Sequence, residues 1–276
     1  MKVGIVTRSF PEMDNARAAA FMAETGFGTT ELCLSQTDSK YWVYNGKSDI
    51  SGLTDARMSE IVETYRKENI EVSVLGVFTN LIEADSEKLA ANLSYFERHM
   101  QYAMHCGIPV LATECGFDPQ SRGVRADVYE SRYSLLLDSL KRLCEMADRC
   151  NVSIALEPCV LDVVPSAKRM VDTIRQVGSP RLKVLLDPAN LIANSSEQDM
   201  FDYLSPHIAY FHGKDRKIND TYGRNVGDGD IDWPLFLKRY HEHNEGAPFI
   251  LEYCNASNCA EILRRVKDYD RQPCLI

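Results

Sequence analysis

The chain has 276 residues, 45% of them hydrophobic and 26% charged, and its formal net charge is −9 at neutral pH. This charge argues against a nucleic-acid partner, because such binding depends mainly on neutralising phosphates with Lys and Arg. No apolar run approaches the roughly 18 residues typical of a membrane span, which argues against a membrane partner. The N-terminal run MKVGIV breaks at Thr7 and Arg8, too early for a secretory signal. Nine cysteines without a C-x-x-C pair suit a reducing compartment. We therefore expect a cytoplasmic protein that acts on small molecules.

Short apolar runs typical of buried strands alternate with longer amphipathic segments along the chain. The predicted strands are Lys2–Val6, Thr30–Leu34, Ile70–Leu75, Pro109–Thr113, Val152–Leu156, Leu182–Leu186, His207–Phe211 and Pro248–Leu251. Helix-like stretches such as SEKLAANLSYFERHMQYAMHC lie between them, and Gly26, Gly107 and Gly178 follow three of these stretches as expected for helix caps. Eight strands alternating with helices, in a chain close to the typical length of about 250 residues, predict a single (β/α)8 TIM barrel. We expect residues 1–276 to form one domain.

Polar side chains follow the last four predicted strands. They are Glu157, Asp187, His212 and Glu252, and we call this set the cup. The carboxyl ends of barrel strands surround one mouth, so these side chains can converge. One Glu or Asp after a strand is more often a solvated strand end, whereas four such residues on consecutive strands indicate a site. Carboxylates and imidazole are ligands of divalent metals.

The motifs around the cup resemble those of a known family. The runs ALEP, LLDPAN, FHGKD, GDGDIDW and FILEY are similar to those of the xylose-isomerase-like TIM-barrel superfamily, above all its ketose 3-epimerases and hydroxypyruvate isomerases. The resemblance implies that the cup binds one divalent metal ion and that Glu157 and Glu252 also act as acid and base. It implies a sugar isomerase or epimerase that moves a proton next to a carbonyl through an enediolate. Oxygen-rich ligation with one imidazole suits Mn²⁺, Mg²⁺ or Co²⁺, with Zn²⁺ also compatible.

One position departs from the family pattern. Members often carry a histidine three residues after the aspartate, where this chain has Asn190. In the three-zinc AP endonucleases of the superfamily that histidine is a metal ligand, and an amide replaces imidazole poorly on zinc. Histidines are also missing from the ends of the first strands. We therefore expect one metal rather than three, with Asn190 in contact with substrate, and we disfavour an AP endonuclease-like nuclease.

Basic residues after the seventh strand are candidates for binding substrate. Lys214, which lies two residues past His212, is the preferred contact, and Arg224 is a second candidate. Four bases share this segment with five acids, so the loop does not make an anion cradle. We therefore expect a free sugar or polyol-derived ketone rather than a phosphorylated one.

Two further residues are candidates because of their positions. Trp42 lies in an aromatic loop after the second strand, where its ring could cover the apolar face of a sugar or pack the loop onto the barrel rim. Glu114 ends the fourth strand and is expected either to support the site or to form a structural ion pair.

Other functions remain open at this point. A lyase on the same scaffold, of the inosose or dehydroshikimate dehydratase type, would use the same cup, and only its product would distinguish it. A non-catalytic metal- or sugar-binding protein is a more distant alternative, because such a protein would not need both glutamates. The sequence identifies neither the sugar nor the reacting carbon, and it leaves a homo-oligomer open.

Overall fold

Eight parallel strands close into a barrel in chain order, with β8 paired to β1. The computed structural model describes residues 1–120, 122–123 and 125–272. The strands are β1 (Val3–Val6), β2 (Thr29–Leu32), β3 (Glu71–Gly76), β4 (Val110–Glu114), β5 (Ser153–Glu157), β6 (Leu182–Leu186), β7 (Ile208–Gly213) and β8 (Phe249–Leu251). The predicted (β/α)8 TIM barrel is confirmed.

Helices alternate with the strands around the outside of the barrel. They are α1 (Asn15–Thr25), α2 (Asp55–Lys67), α3 (Ser86–Cys106), α4 (Tyr129–Cys150), α5 (Ala167–Val177), α6 (Pro188–Leu191), α7 (Glu197–Leu204), α8 (Trp233–His243) and α9 (Cys259–Asp270). Gly26, Gly107 and Gly178 end α1, α3 and α5 in the left-handed conformation that glycine adopts without strain, as predicted. Among the described residues, no helix is both long and apolar enough to cross a bilayer.

Two predicted strand ends were wrong by two residues. The second strand stops at Leu32 instead of Leu34, because the Cys33 amide donates a hydrogen bond to the Thr7 hydroxyl (2.9 Å) and the chain turns there. The seventh strand continues past Phe211 to Gly213, because His212 and Gly213 still pair with β8. His212 therefore lies inside its strand rather than after it.

The core has two layers, as expected for a barrel. The larger layer packs the outward faces of the strands against the helices. The smaller layer fills the barrel interior and consists of Val6, Cys33, Val74, Phe78, Ala112, Ala155, Leu185, Tyr210 and Ile250. Glu31 precedes Cys33 by two residues in the strand direction, so its side chain also faces the interior. A charged side chain is an exception in this layer.

Candidate metal centre

The structure brings the four side chains of the cup together at the carboxyl ends of neighbouring strands. Glu157 is the last residue of β5, His212 lies near the end of β7, and Asp187 and Glu252 directly follow β6 and β8. All four are at least 97% buried. One ligand atom from each lies within 4.8 Å of the others. This spacing allows a single ion to contact all four residues.

Neighbouring groups fix the carboxylates of the cup. Asp187 caps α6, and its Oδ1 accepts hydrogen bonds from the backbone amides of Ala189 (2.9 Å) and Asn190 (3.3 Å). The side-chain amide of Asn190 donates to Glu157 Oε1 (2.7 Å). Arg8, in the turn after β1, forms an ion pair with Glu252 Oε1. Each carboxylate is therefore oriented before any ligand binds.

Asp187 Oδ2 and Glu252 Oε2 have the ammonium of Lys214 beside them (2.6 and 2.9 Å), whereas buried His212 Nδ1 has no hydrogen-bond partner among the described residues. Buried polar atoms are nearly always satisfied in folded proteins, so the unpaired Nδ1 indicates a position for a ligand. Two oxygens and one imidazole nitrogen are donors that divalent metals accept. The residues of the cup therefore fit a metal ion.

Lys214 lies inside the cup rather than at its rim. Its ammonium is 2.6 Å from Asp187 Oδ2, 2.9 Å from Glu252 Oε2 and 3.9 Å from Glu157 Oε1, and its side chain is only 5% exposed. These ion pairs to the predicted ligands partly neutralise their charge. The substrate contact that the sequence suggested for Lys214 stays a prediction.

The pKa values of the cup reflect crowding of opposite charges. Burial opposes the charged form of Glu157, but His212 and Lys214 outweigh it and lower the pKa of this carboxyl to about 2. Burial likewise opposes protonation of His212, and the carboxylates of Glu31 and Glu157 outweigh it and raise its pKa to about 9. Burial raises the pKa of Asp187 despite the attraction of Lys214. The opposite charges packed together in the cup therefore stabilise the ionised forms of Glu157 and His212 against the effect of burial.

The other predicted site residues lie at different distances from the cup. Asn190 contacts it directly. Trp42 lines an adjoining open pocket of about 310 Å³, together with Arg8, Glu252 and Tyr253. Glu114 ends β4, where it accepts a hydrogen bond from the hydroxyl of Tyr44 (2.5 Å), and burial raises the pKa of its carboxyl.

Arg224 is the predicted residue with the weakest link to the cup. Its side chain is one-third exposed and pairs with Asp220 (2.5 Å) in the loop after β7. The same loop is folded around buried Asp215, which accepts hydrogen bonds from the amide of Gly227 (2.9 Å) and the indole of Trp233 (2.8 Å). The loop therefore has its own internal structure, and most of its acids and bases serve that structure.

Three residues that contact the cup or its partners were not among the predicted site residues. Arg8 lies two residues past the end of β1, so a search that included the first residues after each strand could have identified it. Glu31 is a buried carboxylate within β2, bonded to His212 (2.8 Å). Arg216 is 4% exposed, donates to Asn190 Oδ1 (3.2 Å), and keeps two buried nitrogens without a hydrogen-bond partner among the described residues. Arg216 was counted only among the loop bases.

Comparisons with known proteins agree with this architecture. The family model described as xylose isomerase-like TIM barrel matches residues 19–271. L-ribulose-5-phosphate 3-epimerase UlaE of Salmonella paratyphi A is 23% identical over 276 residues, covering 97% of this chain and 93% of that protein.

Solved structures show the same fold at lower identity. D-psicose 3-epimerase from Clostridium cellulolyticum H10, solved with D-tagatose, has a TM-score of 0.74 and 15% identity, covering 98% of each chain. The IolI protein with a bound zinc atom has a TM-score of 0.77 and 17% identity, also covering 98% of each chain.

Proposed function

This chain belongs to the xylose isomerase-like TIM barrel family, and we propose from this premise that it is a divalent-metal-dependent sugar isomerase or epimerase. One observation carries the proposal: four buried side chains with metal-ligand chemistry bring their donor atoms within 4.8 Å of one another at the barrel mouth. The names of the relatives, which are epimerases of ketoses or their phosphates, support the same class of reaction.

The ligands of the metal ion would be Glu157, Asp187, His212 and Glu252. Three carboxylates and one imidazole suit Mn²⁺, Mg²⁺ or Co²⁺, and Zn²⁺ is also compatible. When bound, such an ion supplies a Lewis acid for the substrate carbonyl, which makes the neighbouring C–H more acidic.

Glu157 and Glu252 would transfer the proton. They come from β5 and β8, three strand positions apart around the barrel, so their carboxylates can reach different sides of one substrate. One removes the proton next to the carbonyl, and the resulting enediolate takes a proton back. Return to the opposite face gives epimerisation, and return to the neighbouring carbon gives isomerisation. Asn190 and Arg8 hold these two carboxylates in place through their direct contacts.

Several residues would bind the sugar around this centre. Trp42 borders the pocket beside Glu252 and offers an aromatic face, and Glu114 offers an acceptor at the end of β4. Asn190, Lys214 and Arg216 lie on the β6–β7 side, where Arg216 has nitrogens free to donate to substrate oxygens. We retain Arg224 as a peripheral contact.

We propose a free rather than phosphorylated sugar or polyol-derived ketone. Lys214 and Arg224, the two bases that the sequence predicted as substrate contacts, already pair with acids of the chain. A phosphate would have to compete for them. Because the relative UlaE is named for a sugar phosphate, both substrate forms belong in the test.

The proposal is tested by incubating metal-loaded protein with ketoses, aldoses, inososes and ketose 5-phosphates in D₂O and recording NMR spectra. Deuterium at carbon 3 indicates epimerisation, and deuterium at carbon 1 or 2 indicates aldose–ketose exchange. An unsaturated product supports the dehydratase alternative. Protein stripped of metal by a chelator, then reloaded, is the control. No exchange with any substrate under Mn²⁺, Mg²⁺, Co²⁺ or Zn²⁺ contradicts the proposal.

A further inference from the structure

Glu31 is a carboxylate in the part of the barrel that is otherwise filled mainly by apolar side chains. It lies in the middle of β2, its relative exposure is 0%, and it does not belong to the four residues of the cup. Burying a carboxylate is costly unless the charge is paired and hydrogen-bonded. An apolar residue would fill this position without the free-energy cost of burying a charge. The role of Glu31 is therefore sought in its contacts.

Those contacts converge on His212. Glu31 Oε2 lies 2.8 Å from His212 Nε2 and accepts a hydrogen bond from the Tyr210 hydroxyl (2.6 Å). The other oxygen, Oε1, has the Cys33 thiol at 3.5 Å. Space for this carboxylate depends on Gly76 in β3, where an added Cβ would lie 2.6 Å from Glu31 Oε1. Strands β2, β3 and β7 therefore together fix the position of Glu31.

The contact determines which nitrogen of His212 can face the cup. A carboxylate only accepts hydrogen bonds, so the ring nitrogen that touches it carries the hydrogen. Nε2 is that nitrogen. The other nitrogen, Nδ1, points to the cup, 3.5 Å from Glu157 Oε1 and 3.8 Å from Glu252 Oε2, with no hydrogen-bond partner among the described residues.

We propose that Glu31 is a positioning residue that holds the Nε2–H form of His212 and aims Nδ1 at a divalent cation in the cup. The carboxylate would also make the imidazole a stronger donor, as outer-shell carboxylates do for metal-bound histidines. This inference rests on the proposed function, because it assumes that the cup binds metal.

A merely structural role for Glu31 would have a different signature. In that case its loss would weaken the barrel core, and metal affinity would change only as far as folding changes. Tyr210 provides the matched control, because Tyr210→Phe removes one hydrogen bond from the same oxygen and leaves the contact between Glu31 and His212 intact. The two variants therefore separate core packing from the orientation of His212.

The test measures Mn²⁺ affinity by calorimetry and thermal stability in EDTA for wild type, Glu31→Gln, Glu31→Leu and Tyr210→Phe. We expect Glu31→Gln, which keeps an acceptor oxygen but loses the charge, to bind Mn²⁺ about 10-fold more weakly. We expect Glu31→Leu to bind about 100-fold more weakly, at the upper end of the effect of outer-shell partners. Tyr210→Phe should stay within about threefold of wild type. Equal losses in Tyr210→Phe and Glu31→Gln, or no loss in either Glu31 variant, would overturn the inference.

A second measurement is made on the wild-type protein, with one variant used only for assignment, and so does not depend on whether the Glu31 variants fold. Histidine labelled with ¹⁵N reports by NMR which ring nitrogen carries hydrogen in the Zn²⁺-loaded protein, with the signal of His212 assigned by its absence in His212→Gln. We expect hydrogen on Nε2 and zinc on Nδ1. The reverse arrangement refutes the role of Glu31 while leaving the metal site intact. A wild-type protein that binds no divalent ion refutes the proposed function, and the inference falls with it.

Discussion

Replacing Glu252 by glutamine removes one carboxylate from the cup and preserves the shape of the side chain. Glu252 is buried, with Oε1 paired to Arg8 and Oε2 facing the cup at 2.9 Å from Lys214 Nζ. The amide oxygen of glutamine can still accept from Arg8, so we expect a folded protein. An amide cannot accept the substrate proton. Loss of a positioned general base costs about 10²- to 10⁴-fold in rate, or about 2.7–5.4 kcal/mol of transition-state stabilisation.

The assay follows deuterium incorporation into substrate by mass spectrometry at saturating metal, so that weaker metal binding does not reduce the measured rate. Glu71→Gln is the matched control, because Glu71 is an exposed carboxylate at the opposite end of the barrel, paired with Lys2. We expect wild-type exchange in Glu71→Gln and exchange reduced at least 100-fold in Glu252→Gln. Full exchange in folded, metal-loaded Glu252→Gln would remove Glu252 from the proton transfer.

Four other predictions concern the metal site and the loop after β7. Metal affinity should rise by up to about tenfold per pH unit from pH 6.5 to about 9, because the ion must displace a proton from His212, whose pKa is raised to about 9. Calorimetry at several pH values measures this affinity, and a flat profile would contradict the prediction. Because the pKa of His212 is raised, the protonated imidazole stabilises the metal-free protein below pH 6.5, and this stabilisation is lost as the pH rises through 9. Denaturant unfolding in EDTA at several pH values measures this change in the free energy of unfolding. A metal ion at 100 times its dissociation constant should add about 2.7 kcal/mol, or roughly 5–10 °C in Tm, and an unchanged Tm contradicts binding to the folded state. Gly229→Ala should destabilise the loop after β7, because the new Cβ would lie 2.1 Å from Asp215 Oδ1 and must displace it. We expect the free energy of unfolding to fall by about 1–3 kcal/mol. Gly246→Ala is the control: nothing lies within 4 Å of its new Cβ, so it should cost less, through its positive φ alone.

The barrel and the cup could be predicted from the sequence because their signals are local. Each strand is a short apolar run between polar segments, and the α3 helix begins and ends where the periodicity of the predicted segment does. Asp187 and Glu252 follow their strands directly, so fold class alone brought them to the mouth. The identity of the reaction class came instead from the resemblance of the motifs.

The contacts that orient the cup could not be predicted, because they join residues far apart in the chain. Glu31 and His212 are separated by 181 positions, and their contact depends on which side chains of β2 and β7 face the barrel interior. A lone Glu in a strand is usually read as facing solvent. The ion pair between Arg8 and Glu252 likewise depends on closure of the barrel between β1 and β8. The ion pairs of Lys214 with the predicted ligands depend on its side-chain conformation, and the position of Lys214 in the sequence does not determine that conformation.

We propose above that Glu157, Asp187, His212 and Glu252 bind one divalent cation. Crystals grown with Mn²⁺ test it directly through the anomalous scattering of manganese. We predict a single strong anomalous peak between the four side chains, with each ligand atom about 2.0–2.6 Å from the ion. Well-diffracting crystals at saturating Mn²⁺ with no peak among these residues would contradict the account.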